Sequence, residues 1–242
     1  MKDKILKLSL LLNILYALFI LNNTVFQVGI GHRAKDTLKE LGVKVEPGRT
    51  YESNPDYHIS KSFHEIYPSR QAGIVMLGDS ITEGVHWNEL MGRTDIVNRG
   101  ISGDVTAGLL NRLEHVYRLN PKACFIMGGV NDIGWVKTTE TFENYQQIVR
   151  RLRERSIAPI IQSTLYTSGS GSSLKNKNIA ELNRLLKQFA QEEGVEYVDI
   201  NQALSKDGQL IEEYTVDGTH LTAKGYQAWA KVVEPIMQKY DL

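Results

Sequence analysis

The sequence predicts an α/β fold in which a five-stranded parallel sheet carries helices on both faces. Five short apolar runs recur after residue 73, and segments with helical periodicity lie between and after them. Polar and glycine clusters directly follow three of the runs and a fourth lies beyond the last run, as expected for an open α/β sheet, whose functional groups collect at the carboxyl ends of the strands. With 242 residues, 42% of them hydrophobic and 23% charged, the chain is long enough for one substantial domain with a buried core.

Each apolar run is expected to form one strand, and the runs occupy residues 74–77, 96–97, 124–127, 157–161 and 195–198. The helical segments are recognised by apolar side chains three or four positions apart. These side chains are Val105, Leu109, Leu110, Leu113, Val116 and Tyr117 in the first segment, Ile179, Leu182, Leu185, Leu186 and Phe189 in the second, and Tyr226, Trp229, Val233, Ile236 and Met237 in the last. Gly194 is expected to end the second segment, and the aromatic side chains of the last are expected to face the sheet.

The first 72 residues differ from the rest of the chain. Lys2, Lys4 and Lys7 precede an apolar stretch at residues 8–21, which is the layout of a secretory signal or a signal anchor. Because no clear small-residue cleavage site follows, an uncleaved anchor is favoured over a cleaved signal peptide. We therefore expect a membrane-associated segment at 1–30, a connector at 31–72 and a globular domain at 73–242 outside the cytoplasm. The connector is expected to hold a short helix at 34–41 and turns at 47–48 and 54–55.

Charge balance and cysteine content argue against several classes of function. Lys plus Arg and Asp plus Glu both number 28, so electrostatics gives no reason to expect a nucleic acid partner. A single cysteine, Cys124, rules out an intrachain disulfide framework and a cysteine-rich zinc site. Its apolar surroundings indicate a buried packing residue rather than a nucleophile. No cofactor and no metal are expected.

Ser80 follows the first strand in the segment Gly78-Asp79-Ser80-Ile81-Thr82 and precedes an expected helix. A serine at a helix N-terminus feels the positive end of the helix dipole, which suits a nucleophile whose attack creates an oxyanion. The alternative is that Ser80 or Asp79 only caps the helix, which is the commoner use of these residue types.

A base and an orienting carboxylate are available for Ser80 near the last helix, which is expected to begin at Thr222. A serine nucleophile needs both groups, and Asp217 precedes His220 by three residues. Ser80, Asp217 and His220 are therefore predicted to form a catalytic triad. The alternative is a local turn at Asp217 in which His220 only packs. The other histidines are interpreted mainly as surface residues, and they are His32, His58, His64, His86 and His115.

Three groups at the same edge are candidate donors to an oxyanion. They are the N–H of Ser80, the N–H of Gly103 and the side-chain amide of Asn131. The alternative is that Gly103 only makes a turn and Asn131 only bonds to its local backbone. Further residues expected beside the substrate pocket are Asp79, His86, Trp87 and Arg99.

Four blocks together resemble the SGNH, or GDSL, hydrolase family: 78–80, 100–104, 129–132 and Asp217-x-x-His220. Residues 98–106 are most similar to the branch that contains platelet-activating-factor acetylhydrolase subunits and many bacterial acylesterases. The resemblance implies a three-layer α/β/α flavodoxin-like fold. It also implies Ser80 as nucleophile, Gly103 and Asn131 as oxyanion donors, and Asp217 with His220 completing the triad. Ile81 stands where the family has leucine, and the first 70 residues lie outside the resemblance.

The expected function is hydrolysis of a short acyl ester, often acetyl, on a carbohydrate or lipid through an acyl-enzyme. A membrane-tethered glycan O-acetyltransferase with the same triad is the alternative. A metal-dependent phosphohydrolase, suggested by Asp79, Asp104 and Asp132 near the strand ends, is less favoured because each adjoins a residue with a triad or oxyanion role. A binding module without catalysis is least favoured, since no triad or oxyanion position is missing.

Overall fold

A computed structural model of the chain describes residues 50–69 and 71–240. Its centre is a parallel sheet with the strand order β2-β1-β3-β4-β5. All five apolar runs form strands, so the α/β prediction is confirmed. The strands are β1 (Ile74–Gly78), β2 (Ile96–Gly100), β3 (Ala123–Met127), β4 (Ala158–Gln162) and β5 (Glu196–Val198).

Helices connect the strands and cover the sheet. Two short strands, β6 (Ser205–Lys206) and β7 (Gln209–Leu210), form an antiparallel pair apart from it. The helices are α1 (Pro55–Ile66), α2 (Ser80–Glu83), α3 (Trp87–Leu90), α4 (Thr106–Asn111), α5 (Glu114–Tyr117), α6 (Thr138–Arg153), α7 (Ser172–Glu193), α8 (Asn201–Leu204) and α9 (Ala223–Met237).

Apolar side chains are buried on both faces of the sheet. Along β1, Ile74 and Met76 belong to one core cluster, whereas Val75 and Leu77 belong to the other. This alternation follows from the two-residue period of a strand, and it explains why β1 is continuously apolar. The first cluster contains Trp87, Tyr226 and Trp229, and the second contains Leu109, Cys124, Tyr145 and Leu182. Cys124 is fully buried, as predicted.

Strand β1 is the topological switch point of the sheet. The chain passes from β1 to β2 on one side and returns to pair β3 with β1 on the other. The connections after β1 and β3 therefore run in opposite directions along the sheet. They leave a crevice at the carboxyl ends of the strands, where ligands bind in open α/β folds. This topology places the loops after residues 78, 100 and 127 around one crevice.

The helices agree with the sequence pattern at several ends and differ at others. Helix α7 ends at Gly194, which has a left-handed φ of 64°, and Thr222 caps α9 by accepting a hydrogen bond from the Gly225 N–H. Both were predicted. The first helical segment instead forms two short helices, α4 and α5, with a break at Arg112. Helix α6, between β3 and β4, adds to the predicted set.

Part of the expected connector packs on the domain. Asn54 and Pro55, expected to form a turn, begin helix α1: Asn54 is its N-cap and Pro55 its first residue. Tyr57 is 1% exposed, and its hydroxyl donates to Asn111 Oδ1 of α4 at 2.9 Å. The segment expected at 1–30, the helix at 34–41 and the turn at 47–48 lie outside the described residues. No helix within the described ranges is both long and apolar enough to span a bilayer.

The interpretation of His64 and His115 as surface residues is wrong. His115 is 5% exposed, and the imidazole of half-buried His64 on α1 lies 5.9 Å from it. Burial lowers the pKa of His64 to about 3 and that of His115 to about 4, and nearby arginines act in the same direction. Both imidazoles are therefore neutral where α1 packs on the domain.

We predict that His115 makes the protein less stable as the pH falls from 6.5 to 4. In this range the unfolded chain binds a proton at position 115 and the folded chain does not. The free energy of unfolding therefore falls by on the order of 2 kcal/mol between pH 6.5 and pH 4. Urea denaturation at a series of pH values should give a shallower dependence for His115→Gln than for the wild type. The exposed His58→Gln is the matched control. Equal slopes for wild type and His115→Gln would contradict the prediction.

Candidate active site

Ser80 is held at the start of α2, directly beyond β1. Asp79 caps this helix, because its Oδ1 accepts a hydrogen bond from the Ile81 N–H at 3.0 Å. The Asp79 side chain is fully buried, and burial raises its pKa to about 7. The backbone N–H groups of the first helical turn have no partner within the helix, so the Ser80 N–H points out of the helix end.

The imidazole of His220 meets the hydroxyl of Ser80 across 140 residues of sequence. Ser80 Oγ lies 2.9 Å from His220 Nε2. His220 Nδ1 lies 2.7 Å from Asp217 Oδ2, and Asp217 Oδ1 accepts hydrogen bonds from the backbone N–H groups of Thr219 and His220. The structure thus brings the three predicted triad residues together in one hydrogen-bonded chain.

The Asp217 carboxylate sets the tautomer of the imidazole. Partial burial by itself raises the pKa of Asp217, but the hydrogen bonds from His220 and Thr219 outweigh it, and the pKa lies below its ordinary value. The ionised carboxylate can only accept, so Nδ1 of His220 carries the proton. In the neutral imidazole Nε2 is then an acceptor that faces the Ser80 hydroxyl, which is the arrangement of a general base.

The loop that carries Asp217 and His220 is fixed by contacts from neighbouring loops. Gly218 has a φ of 86°, and its carbonyl accepts a hydrogen bond from the Ser168 N–H at 2.8 Å. A side chain at Gly218 would meet the Ser168 carbonyl oxygen, so only glycine fits there. Thr215 Oγ1 donates to the His220 carbonyl at 2.8 Å. These contacts fix the backbone of the loop and with it the position of the His220 imidazole, although this side chain is 44% exposed.

The predicted oxyanion donors lie on the loops after β2 and β3. Gly103 has a φ of 68° in a turn closed by the Asp104 N–H and the Ile101 carbonyl. The Asn131 side-chain amide donates one hydrogen to the Asp104 carbonyl at 2.9 Å. An amide nitrogen carries two hydrogens, so Asn131 retains one for a ligand. Asn131 thereby joins the two loops that carry the donors.

A family model described as GDSL-like lipase/acylhydrolase matches residues 76–228. The chain belongs to this family. The match covers all four blocks on which the resemblance was based, and it confirms the predicted membership of the GDSL family.

The chain is also similar to several named relatives and solved structures. The chain is 30% identical over 155 residues to N-acylneuraminate cytidylyltransferase from Streptococcus agalactiae, with 64% of this chain but only 36% of that protein matched, so it spans about a third of that relative's length. It is 26% identical to platelet-activating factor acetylhydrolase IB subunit alpha2 from Rattus norvegicus, over 69% of this chain and 75% of the relative. A GDSL-like lipase from Bacteroides thetaiotaomicron has the same fold, with a TM-score of 0.66, 24% identity, and coverage of 76% of this chain and 98% of that structure.

Arg112 was not predicted from the sequence as a site residue, but its buried side chain connects the loops of the GDSL site. Its side chain and that of Asp104 are fully buried, and Arg112 Nε donates to Asp104 Oδ2 at 2.7 Å. Its two terminal nitrogens donate to the carbonyl of Arg99 at 2.7 Å and to that of Gly78 at 2.8 Å. One guanidinium therefore ties the ends of β1 and β2 to the Gly103 turn.

Asp132 anchors the loop after β3. Its carboxylate accepts hydrogen bonds from the backbone N–H and the hydroxyl of Thr106, whose Oγ1 also accepts from Asn144 Nδ2 at 3.0 Å. Burial raises the pKa of Asp132 to about 6, and the Thr106 donors oppose that rise. Asp132 therefore connects the Asn131 loop with the start of α4.

The predictions that Trp87 and Arg99 line the substrate pocket are wrong. Trp87 is fully buried: it donates from its indole nitrogen to the Thr82 carbonyl and packs edge-on against Trp229 at 4.8 Å. Arg99 is 4% exposed, and its guanidinium lies over the ring of Tyr67 at 5.9 Å. Neither side chain is available to a substrate.

Asp79 and His86, the other two residues predicted to line the pocket, differ in their exposure to solvent. Asp79 is buried beneath Ser80 as the helix cap, so it supports the nucleophile without facing a ligand. His86 is exposed, and its Nδ1 lies 3.1 Å from Glu89 Oε1.

The three strand-end aspartates hold parts of the protein rather than a common ligand. Asp79 accepts from the Ile81 N–H, Asp104 from Arg112, and Asp132 from Thr106. In residues 50–69 and 71–240, no three His, Cys, Asp or Glu side chains are grouped so that they could hold a metal ion.

We predict that Arg112→Met destabilises the fold by about 3–5 kcal/mol, because it leaves the buried Asp104 charge and two strand-end carbonyls without donors. Urea denaturation measures this loss. Adding Asp104→Asn to Arg112→Met removes the unpaired charge and should recover part of it. The exposed Arg151→Met is the matched control and should change stability by less than about 0.5 kcal/mol. Arg112→Met with wild-type stability would contradict the role assigned to this buried guanidinium.

Proposed function

We propose that this chain is a serine esterase that removes a short acyl group, acetyl above all, from a carbohydrate or lipid. The observation that carries the proposal is the hydrogen-bonded chain from Ser80 Oγ through both nitrogens of His220 to Asp217. A serine, an imidazole and a carboxylate in this order form the machinery of acyl transfer on many unrelated folds.

In the first half-reaction, Ser80 Oγ attacks the ester carbonyl carbon while His220 Nε2 takes the hydroxyl proton. The carbonyl oxygen becomes an oxyanion, which accepts hydrogen bonds from the N–H groups of Ser80 and Gly103 and from the Asn131 amide. The tetrahedral intermediate then collapses. The bond to the alcohol breaks, the alcohol leaves with the proton from His220, and an acyl-enzyme forms on Ser80.

In the second half-reaction, water attacks the acyl-enzyme. His220 takes a proton from the water, the same donors stabilise the second oxyanion, and the carboxylic acid leaves as the Ser80 oxygen regains its proton. Asp217 stabilises the imidazolium formed in each half-reaction and keeps Nε2 directed at Ser80. An acceptor hydroxyl in place of water would convert the hydrolase into the glycan O-acetyltransferase considered above.

The proposed acyl group rests on the relatives. The rat relative is by its name an acetylhydrolase, and this chain is 26% identical to it over 178 residues. Trp87 and Arg99, which were expected beside the pocket, give no information on the carrier, because both are buried. Partial exposure of the His220 and Asp217 side chains, at 44% and 50%, leaves room for a bulky carrier above the triad.

We predict that Ser80→Ala lowers kcat/KM for p-nitrophenyl acetate by at least about 10³-fold, because it removes the nucleophile while the fold is retained. Full-length protein in detergent is assayed, with circular dichroism to confirm folding. The wild type should hydrolyse the acetate ester faster than the octanoate ester and should release free acid from acetylated glycans. Ser80→Ala with full activity would exclude the proposed mechanism, and acetyl transfer to a glycan without free acid would favour the transferase.

We also propose that the chain is attached to a membrane with its esterase domain outside the cytoplasm. The support is the order of charges and apolar residues, with Lys2, Lys4 and Lys7 before the stretch at 8–21. Alkaline phosphatase fused after Leu242 should be active in bacteria, since that reporter needs the periplasm, and it should stay in the membrane fraction after carbonate washing. An inactive fusion, or activity unchanged by deletion of residues 1–30, would contradict the proposal.

A further inference from the structure

We propose that Asn54, which lies outside the region matched by the family model, is a positioning residue for the oxyanion hole. Its side-chain amide fixes the peptide that supplies the Gly103 N–H. The inference rests on the proposed function, in which that N–H donates to the oxyanion. It deepens this function by assigning part of the active-site geometry to the segment that precedes the GDSL domain.

The first step is the hydrogen bond itself. Asn54 Nδ2 donates to the Ser102 carbonyl at 2.7 Å. The Ser102 carbonyl and the Gly103 N–H belong to one planar peptide unit, and in a trans peptide they point in opposite directions. A donor that holds the carbonyl therefore also fixes the direction in which the Gly103 N–H points.

The second step is the need for such a restraint. Gly103 has no Cβ and adopts a φ of 68°, so its backbone has more conformational freedom than that of any other residue type. On the other side of Ser102, its N–H faces the Glu83 carboxylate closely enough to oppose the rise in the Glu83 pKa that burial causes. Asn54 supplies the matching restraint on the peptide between Ser102 and Gly103.

The third step is direct contact. The Asn54 amide packs against Gly103. A Cβ placed on this glycine would lie 3.1 Å from Asn54 Nδ2. A side chain at position 103 would therefore push the Asn54 amide by a few tenths of an ångström, in addition to the strain of a positive φ. Asn54 and Gly103 are in direct contact.

The fourth step is what holds Asn54 in place. Its Oδ1 accepts from the Asp56 N–H at 3.1 Å and so caps helix α1, whose Tyr57 is buried and bonded to Asn111. Tyr51 also packs on Tyr57, with ring centroids 5.0 Å apart. The docking of α1 thus determines the position of the Asn54 amide, and one side chain uses its oxygen for the helix and its nitrogen for the active site.

The two halves of the Asn54 side chain can be separated by mutation. Asn54→Asp keeps the capping oxygen, because Asp caps helices as well as Asn does, but it cannot donate to the Ser102 carbonyl. Asn54→Ser also caps the helix, and its hydroxyl is too short to reach Ser102 from the same backbone position. Ser53→Ala is the matched control, since its exposed hydroxyl bonds to Thr50 and to no other residue in the described part of the chain.

The test measures kcat and KM for p-nitrophenyl acetate, the melting temperature, and Ki for a trifluoromethyl ketone whose adduct with Ser80 places an oxyanion in the hole. Loss of a whole oxyanion donor costs about 10²–10³-fold in kcat, so misdirecting one should cost about 10-fold or more. We expect both capping variants to lose kcat with little change in KM. Ki should rise by the factor by which kcat/KM falls, with an unchanged melting temperature for Asn54→Asp.

Two outcomes would overturn this role for Asn54. One is wild-type kcat and Ki in both variants. The other is an activity loss seen only at temperatures where the variant begins to unfold, which would make Asn54 a helix cap alone. The Ser80→Ala result is read separately. If Ser80→Ala abolishes activity and the Asn54 variants are normal, the esterase mechanism stands and only the positioning role fails.

Discussion

The fork of hydrogen bonds made by Arg112 is the interaction on which the site depends. A buried guanidinium is costly to desolvate unless it is paired and hydrogen-bonded, and here each of its three nitrogens donates, to Asp104 and to the carbonyls of Arg99 and Gly78. Those carbonyls end β1 and β2, the strands whose following loops carry Ser80 and Gly103. The relative position of the nucleophile and one oxyanion donor is therefore set by one rigid, planar group beneath them. The helical segment is interrupted at this same residue, because α4 has Arg112 as its C-cap and α5 begins at Glu114.

The remaining parts of the site are attached to this centre from three directions. Asn131 bonds to the Asp104 carbonyl and so connects the loop after β3 to the Gly103 turn. His220 comes from the loop before α9, and the Tyr226 hydroxyl of that helix donates to the Ile81 carbonyl of α2 at 2.8 Å. Helix α1 contributes the Asn54 contact to Ser102. Each connection runs between backbone and a side chain on another element, so the catalytic groups are held by the fold rather than by one another.

The sequence predicted the sheet and the position of the site because both depend on local patterns. Buried parallel strands are continuous apolar runs, and the rule that loops meet at the carboxyl ends of strands placed Ser80, Gly103, Asn131 and His220 at one edge. The errors arose where side chains make distant contacts. Trp87 follows the Ser80 helix and resembles a loop residue, yet it packs on Trp229 near the other end of the chain. Arg112 lies among apolar helical positions, and its partners are backbone carbonyls that no residue type marks. Asn54 and Pro55 look like a turn, but they also suit the N-cap and first residue of a helix, and the hydrogen bond from Tyr57 to Asn111 docks that helix beside the active site.

The central claim is that Ser80 becomes acylated, and trapping that intermediate tests it most directly. Wild-type protein mixed rapidly with p-nitrophenyl acetate and quenched in acid can be digested and analysed by mass spectrometry. The account predicts one acetyl group on the peptide that contains Ser80, formed at the rate of the initial burst of p-nitrophenol. A burst with the acetyl group on another residue, or turnover with no acetylated peptide at any time, would contradict it.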